Sequence, residues 1–317
     1  MRDLLMSRYA IGADLGGTNV RTALVRDDGT CVKSLRRRTV GDAGTYEHIK
    51  NSVDVLVALL DDLLAAPDVA GYSLDGVGVG VTGLINRSGA FIGGKGPPDI
   101  YQHPLPIRER LAGRLEMPVW VENDSKAAAW GEYCYGAGRG ADSMICLTVG
   151  TGIGGGIVLD GRLFHGADGL AGHVGFMTLD LHGTRGPSGA VGYLEQLASG
   201  TAIAQMAGMP GESVFEAYRQ GDSTARDVIK TVTYALGVAV ASLLHILNPD
   251  VVVIGGGVAE QGDMFLDLIR AVARDSSMVN FRATQIRAAE LGDAAGVIGA
   301  AALCWQDGTK HAGHTYE

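Results

Sequence analysis

Cysteine is scarce in this 317-residue sequence: Cys31, Cys134, Cys146 and Cys304 stand apart, with no C-x-x-C pair. Reduced thiols in a cytosolic protein are therefore expected rather than a disulfide framework. Basic charge is also short. Lys and Arg number 26 against 35 Asp and Glu, a formal net charge of -9, where a nucleic-acid-binding face needs a basic patch or stripe. The one basic run, Arg36-Arg37-Arg38, ends a strand-like segment and reads as a solvated edge. No apolar stretch reaches the roughly 18–20 residues of a membrane span. Met1 to Ala10 carries Arg2, Asp3 and Arg8 and has no apolar core for a signal peptide. A soluble, cytoplasmic protein is the expectation. The P-loop pattern G-x-x-x-x-G-K-[ST] is missing as well.

Glycine is abundant instead, at 48 residues, about twice the usual share of roughly 7 %. The glycines cluster in short loops after apolar runs, where bare backbone can approach a ligand. With 46 % hydrophobic and 19 % charged residues the chain is globular, and its length predicts about two domains.

Two stretches follow one plan. Tyr9 to Asp14, Leu15-Gly16-Gly17-Thr18-Asn19 and Val20 to Val25 read as strand, turn and strand, with Asp28-Gly29 turning into a third strand from Cys31 to Arg36. Ser143 to Val149, Gly150 to Gly156 and Ile157-Val158-Leu159 repeat the plan, and Asp160-Gly161 turns into Arg162-Leu163-Phe164. Helices are predicted over Tyr46–Leu64, Asp124–Tyr135, Val191–Met206, Arg226–Leu247 and Met264–Ala273. Buried parallel strands are predicted over Gly76–Val81, Pro118–Glu122 and Val251–Gly255. The duplication implies two similar α/β domains.

Successive backbone N–H groups in such turns form nests for phosphate oxygens. Asp14 could hold Mg²⁺ directly or through water, and the Thr18 and Thr151 hydroxyls could donate to phosphate. Gly150-Thr151-Gly152-Ile153-Gly154-Gly155 spells G-x-G-x-x-G but leads into a strand where the dinucleotide fingerprint demands a helix, so that reading is rejected. In Glu122-Asn123-Asp124-Ser125-Lys126, Asp124 stands where a strand gives way to a helix. Spacing alone leaves two roles open for it: a helix N-cap, or a general base for an attacking hydroxyl. Gly255-Gly256-Gly257 either makes a tight turn or leaves room for a flat ring.

Together Asp14-x-Gly16-Gly17-Thr18, Glu122-Asn123-Asp124, Gly150 to Gly156 and Gly255 to Gly257 make the chain resemble the ROK family of repressors and sugar kinases. The resemblance implies an α/β fold of two actin-like (ribonuclease H-like) ATPase domains around a central cleft. They would span residues 1–122 and 123–296, with a C-terminal helix near 297–312 packing back on the first. It implies a homodimer or homotetramer. Asp124 would be the catalytic base, with Asn123, His173, Glu195 and Gly83 on the substrate. Asp14, Gly16, Gly17, Thr18, Asn19, Gly150, Thr151, Gly152 and Gly154 would grip the ATP phosphates, with Mg²⁺ at Asp14. Gly255, Gly256 and Gly257 would border the adenosine. A family repressor carries a helix-turn-helix before the first turn, and thirteen residues before Asp14 leave no room for one, so an enzyme is expected.

One region departs from the family. Its Gly-Glu-x-Gly-His and Cys-x-Cys-Gly-x-x-Gly-Cys-x-Glu segments hold a structural zinc and touch the sugar. Here they read Gly172-His173-Val174-Gly175-Phe176 and Gly186-Pro187-Ser188-Gly189-Ala190-Val191-Gly192-Tyr193-Leu194-Glu195. The four metal ligands have become Phe176, Gly186, Ser188 and Tyr193, so no zinc is expected. Phe176 and Tyr193 would form an apolar plug. His173 replaces a multiple acceptor by a ring that, when neutral, accepts once and donates once, and Phe91 to Pro98 also looks altered. These changes favour an amino sugar such as kanosamine, or a seven-carbon cyclitol, over glucose, with a zinc-free glucokinase as the alternative.

Overall fold

The computed structural model describes residues 7–39, 41, 44–94, 103–186 and 189–308. Strands β1 (Tyr9–Leu15) and β2 (Asn19–Arg26) form an antiparallel hairpin across the Gly16–Thr18 turn, and β3 (Cys31–Arg38) pairs antiparallel with β2. With β4 (Leu74–Val81) and β7 (Val119–Asn123) they make a sheet ordered β3-β2-β1-β4-β7, the last two pairs parallel. β1 lies in the middle, so Ala10, Ile11, Ala13 and Leu15 are all buried. β3 is the outer strand and keeps its arginines in solvent, where Arg37 pairs with Asp62 at 2.5 Å. Between β4 and β7 come the short pair β5 (Leu84–Ile85) and β6 (Phe91–Gly93) and then α2 (Ile107–Leu115).

Helix α1 (Tyr46–Leu64) matches its predicted span. The Thr45 hydroxyl caps it by accepting from the His48 N–H, and Ile49, Val53, Leu56, Leu60 and Leu63 turn one face inward. Helix α3 (Asp124–Tyr135) follows β7 directly.

The second sheet repeats the arrangement. β8 (Met144–Val149) and β9 (Ile153–Leu159) are an antiparallel hairpin, and β11 (Val251–Gly255) and β12 (Gln285–Ala288) add in parallel, ordered β9-β8-β11-β12. Asp160, at φ 51°, and Gly161, at φ 70°, turn the chain into the two-residue strand β10 (Arg162–Leu163). The helix predicted over 191–206 is instead two, α4 (Leu194–Ala198) and α5 (Gly200–Ala207). Ser199 is extended between them, and its hydroxyl caps α5 by accepting from the Ala202 N–H. A helix absent from the sequence reading, α6 (Gly211–Gln220), precedes α7 (Ser223–Leu247), and α8 (Asp263–Ser276) precedes β12.

By length and composition α7 would pass as a membrane span, which corrects the expectation that no stretch could. Its Val228, Ile229, Val232, Leu236, Val240 and Leu244 are buried, and it packs on α4, α6 and α8, which makes it a core helix. All four cysteines are free, and burial pushes the Cys134 and Cys304 thiols up to about 12.

The chain divides into two compact units, each with its own hydrophobic core. One is Met1–Gly136, Gly161–Ala171 and Asp293–Glu317, and the other is Ala137–Asp160 and Gly172–Gly292. The division expected after residue 122 falls inside the first unit, because α3 packs there on α9 (Ala295–Ala302) and β4. α9 and the 3-10 turn that follows it occupy most of the segment expected as a returning helix; the part of 297–312 beyond residue 308 lies outside the described residues. Glycines make this packing possible. A side chain at Gly12 would strike the Val297 carbonyl, one at Gly78 the Ala300 carbonyl, and one at Gly299 the Ala127 carbonyl. Part of the glycine surplus thus serves helix-to-sheet contact rather than ligand loops.

Candidate active site

The first unit places its polar groups at the end of β7. Asn123 is extended there (φ -61°, ψ 143°) and is the N-cap of α3, its side-chain oxygen accepting from the Ser125 and Lys126 N–H groups at 3.1 Å each. The capping role open to Asp124 therefore falls to its neighbour. Asn123 Nδ2 donates to the Gly83 carbonyl at 3.0 Å and to Asp124 Oδ1 at 2.9 Å. Two acceptances and two donations fill the capacity of a side-chain amide, so Asn123 can meet a substrate only by exchanging one of these bonds. Gly83 has φ 113°, and a side chain there would strike the Phe91 ring.

Asp124 is unequally held. Oδ1 accepts from Asn123 Nδ2, from the Ser125 N–H at 2.7 Å and from the Ser125 hydroxyl at 3.3 Å. Among the described residues Oδ2 accepts only from the Thr82 hydroxyl, at 2.6 Å. One oxygen is fixed and the other keeps free lone-pair capacity, as a base facing a hydroxyl requires. Sequence reasoning missed Thr82.

Beneath this corner lies a second feature the sequence hid. Glu122, at the end of β7, is 5 % exposed and Lys126, in the first turn of α3, is fully buried; they pair at 2.7 Å across the strand-to-helix junction. Glu122 Oε1 also accepts from the Asn123 N–H at 2.8 Å, and Oε2 lies 2.8 Å from His165 Nδ1. Burial pushes the Glu122 carboxyl up, but the His165 hydrogen bond and the Lys126 charge outweigh it and hold it below its ordinary value. Lys126 also donates to the Gly169 carbonyl at 2.5 Å. The spacing of Glu122 and Lys126 spans the junction of β7 and α3, where the helical i, i+4 rule does not apply, and nothing in the sequence pointed to His165.

Asp14 ends the interior of β1. Burial first, and then the Asp124 charge, push its carboxyl up to about 7, against a smaller pull from Arg21. Its Oδ2 lies 2.9 Å from where a side-chain carbon at Gly296 would be, and among the described residues no hydrogen bond supports the charge. A half-buried carboxylate with no hydrogen-bond partner among the described residues suits a divalent cation, so the residues fit Mg²⁺. In the adjoining turn Gly16 N–H donates to the Asn19 carbonyl at 3.0 Å, and the Gly17 carbonyl accepts from the Thr39 hydroxyl. Gly17 and Thr18 N–H groups have no acceptor among the described residues.

The second unit has the matching turn. Gly150 N–H donates to the Gly152 carbonyl at 2.9 Å, and α5 braces the loop through Gly200 N–H to the Gly150 carbonyl at 2.7 Å and the Thr201 hydroxyl to the Thr151 carbonyl at 2.7 Å. Thr151 and Gly152 N–H groups are left unpaired among the described residues, and Gly154 continues into β9. Glu195, in the first turn of α4, accepts from the Ile153 N–H at 2.8 Å and lies against Gly152. Gly256 has φ 88° and sits on the Val149 carbonyl, which alone requires glycine. Gly257 faces open space, and Gly255 ends β11.

His173 precedes a 3-10 turn, Val174–Phe176, with its ring centroid 6.4 Å from that of Phe176. Phe176 stacks on Tyr193 at 5.4 Å and 25°. A carbon added at Gly186 would come within 2.5 Å of the Tyr193 ring, so the tyrosine fills the space a cysteine would need. None of Phe176, Gly186 and Tyr193 is a usual zinc ligand, and these residues do not fit zinc. Ser188, and Lys95 to Pro98 of the altered Phe91–Pro98 stretch, lie outside the described residues.

The sequence pattern of the ROK family matches residues 10–307. This chain belongs to the ROK family. A glucokinase of Thermotoga maritima is 34 % identical over 315 residues, covering 92 % of this chain and 96 % of its own. The bifunctional enzyme NanE/NanK of Brucella melitensis is 39 % identical over 303 residues, covering 94 % of this chain and 54 % of the longer relative. Among solved structures, a ROK family glucokinase from Streptomyces griseus, in complex with glucose and AMPPNP, superposes with a TM-score of 0.77 at 31 % identity, over 93 % of this chain and 98 % of that one. The repeated strand order is the actin-like ATPase fold of ROK kinases.

Proposed function

We propose that this sugar kinase transfers the γ-phosphate of ATP to a primary hydroxyl of an amino sugar, with Asp124 as general base. The observation that carries the reading is the unequal carboxylate: Oδ1 saturated, Oδ2 held, among the described residues, by Thr82 alone. Asp124 Oδ2 takes the proton of the hydroxyl, whose oxygen bonds to the γ-phosphorus as the bond to the bridging oxygen breaks and ADP leaves. The unpaired N–H groups of Gly17 and Thr18, and those of Thr151 and Gly152, are donors for phosphate oxygens. Asp14 would hold Mg²⁺, whose charge offsets that of the phosphates. Gly255 to Gly257 would border the adenosine.

Asn123, His173, Glu195 and Gly83 are the substrate residues in this reading. His173 is the reason for preferring an amino sugar: it offers a donor and an acceptor where a family carboxylate only accepts. A seven-carbon cyclitol satisfies the same argument less directly. Glucose is the second reading, favoured by the glucokinase relatives. By the same family reading the enzyme works in the cytoplasm as a homo-oligomer.

The test is ATP-dependent phosphorylation across glucose, mannose, N-acetylated sugars, kanosamine and seven-carbon cyclitols. An amino sugar turned over far better than glucose is the expected result. Efficient turnover of glucose alone would replace the first reading by the second, and no turnover of any sugar would end both.

A further inference from the structure

A cavity of about 260 Å³ opens on the second unit, lined by the C-terminal half of α8, the 3-10 turn Val279–Phe281 and the outer strand β12. Four arginines line it: Arg270, Arg274, Arg282 and Arg287. Among the described residues only Arg270 has a carboxylate, Asp267 at 2.8 Å. Arg282 donates through Nε to the Ser277 carbonyl at 3.2 Å, and Arg287 donates to the Gln285 side chain and the Ala137 carbonyl; all of these are neutral acceptors. Arg274 has no acceptor among the described residues.

A second cavity, of about 360 Å³ in the first unit, provides the contrast. Its two arginines are both neutralised, Arg110 by Asp54 at 3.3 Å and Arg114 by Asp61 at 2.9 Å. Three of the four arginines of this cavity thus lack a carboxylate among the described residues, on a chain whose net charge is -9. Clustered guanidinium groups repel one another, and an anion that accepts from several of them removes that cost. The planar forks suit phosphate, and Thr284 adds a hydroxyl at the wall. The volume fits a small molecule, and the overall acidity disfavours a nucleic acid.

We propose that this cavity binds a small phosphate-bearing metabolite at a site that shares no residue with the kinase site. The guanidinium groups of Arg274 and Arg282 provide the free donors, and Arg270 and Arg287 are fixed in place by their neighbours.

Calorimetric titration of the full chain tests this, with the nucleotide site filled by a non-hydrolysable ATP analogue. Inorganic phosphate and a hexose 6-phosphate are titrated separately. Either should bind one equivalent, and whichever binds tighter identifies the source of the phosphate. The Arg274→Ala and Arg282→Ala double variant should weaken binding about tenfold or more, the loss of two charge-assisted hydrogen bonds, while analogue affinity stays unchanged. Arg274→Gln alone, at an exposed side chain without a partner, keeps the fold and should weaken binding by a smaller factor. No binding by the wild type up to about 10 mM, or equal binding by the double variant, would overturn the proposal.

Discussion

At the end of β7, Asn123, Asp124, Thr82 and Ser125 bond one another, over a buried Glu122, Lys126 and His165 cluster. Between Gly172 and Glu195, by contrast, an aromatic pair occupies the positions expected to ligate zinc. The first region keeps the Asn-Asp pair proposed to meet the attacking hydroxyl, whereas in the second His173 replaces a family carboxylate and Glu195 is retained. Base geometry tolerates little change, because a small displacement of the attacking oxygen costs rate. The region that shapes the substrate pocket can be rebuilt if its space is refilled, and Tyr193, stacked on Phe176 and set against Gly186, refills it.

The comparison breaks most completely at Asp124. Asp124→Asn should lower kcat by about a thousandfold and leave MgATP affinity intact by calorimetry; a near-normal rate would remove the base from this corner. Next in size is the buried pair. Lys126→Met leaves Glu122 buried without its cation and should cost about 3–5 kcal/mol in chemical denaturation, with Glu122→Gln plus Lys126→Met costing less. A single variant as stable as the wild type would mean that His165 alone neutralises Glu122.

Asp14 sharpens the comparison through pH. Its carboxyl is raised to about 7 from an ordinary 3.8, so the folded chain holds a proton that the unfolded chain has lost across that window. Nucleotide-free stability should therefore fall as pH rises from about 4 to about 7 and then level off. Asp14→Asn should be more stable than wild type at pH 8 and equal to it near pH 4. MgATP affinity should move the other way, rising by up to about tenfold per pH unit below 7, because the cation displaces the proton. An Asp14→Asn variant with an unchanged pH profile would contradict this. The smallest effect is at Thr82. Thr82→Val should lower kcat roughly tenfold with little change in KM, and Thr82→Ser should restore most of it. A change confined to KM would make Thr82 a substrate contact instead.

Much of this was legible because it rested on local patterns. The two Gly-rich hairpins, the β7-to-α3 junction and the replaced zinc ligands are short segments whose spacing carries their meaning. The break at Ser199 was missed because apolar periodicity continues across a cap. The packing role of Gly12 and Gly78 was missed because only the return of α9 to the first sheet reveals it. His165 and Thr82 lie 43 and 42 residues from their partners, Glu122 and Asp124, and no spacing rule links such residues.

The claim most open to direct test is that phosphoryl transfer runs from the Asp124 corner without zinc. Purified enzyme would be assayed for metals, chelated exhaustively, returned to Mg²⁺ and assayed again on its best substrate. The account predicts zinc far below one equivalent and full recovery of turnover. A stoichiometric zinc signal that disappears together with the activity would contradict it.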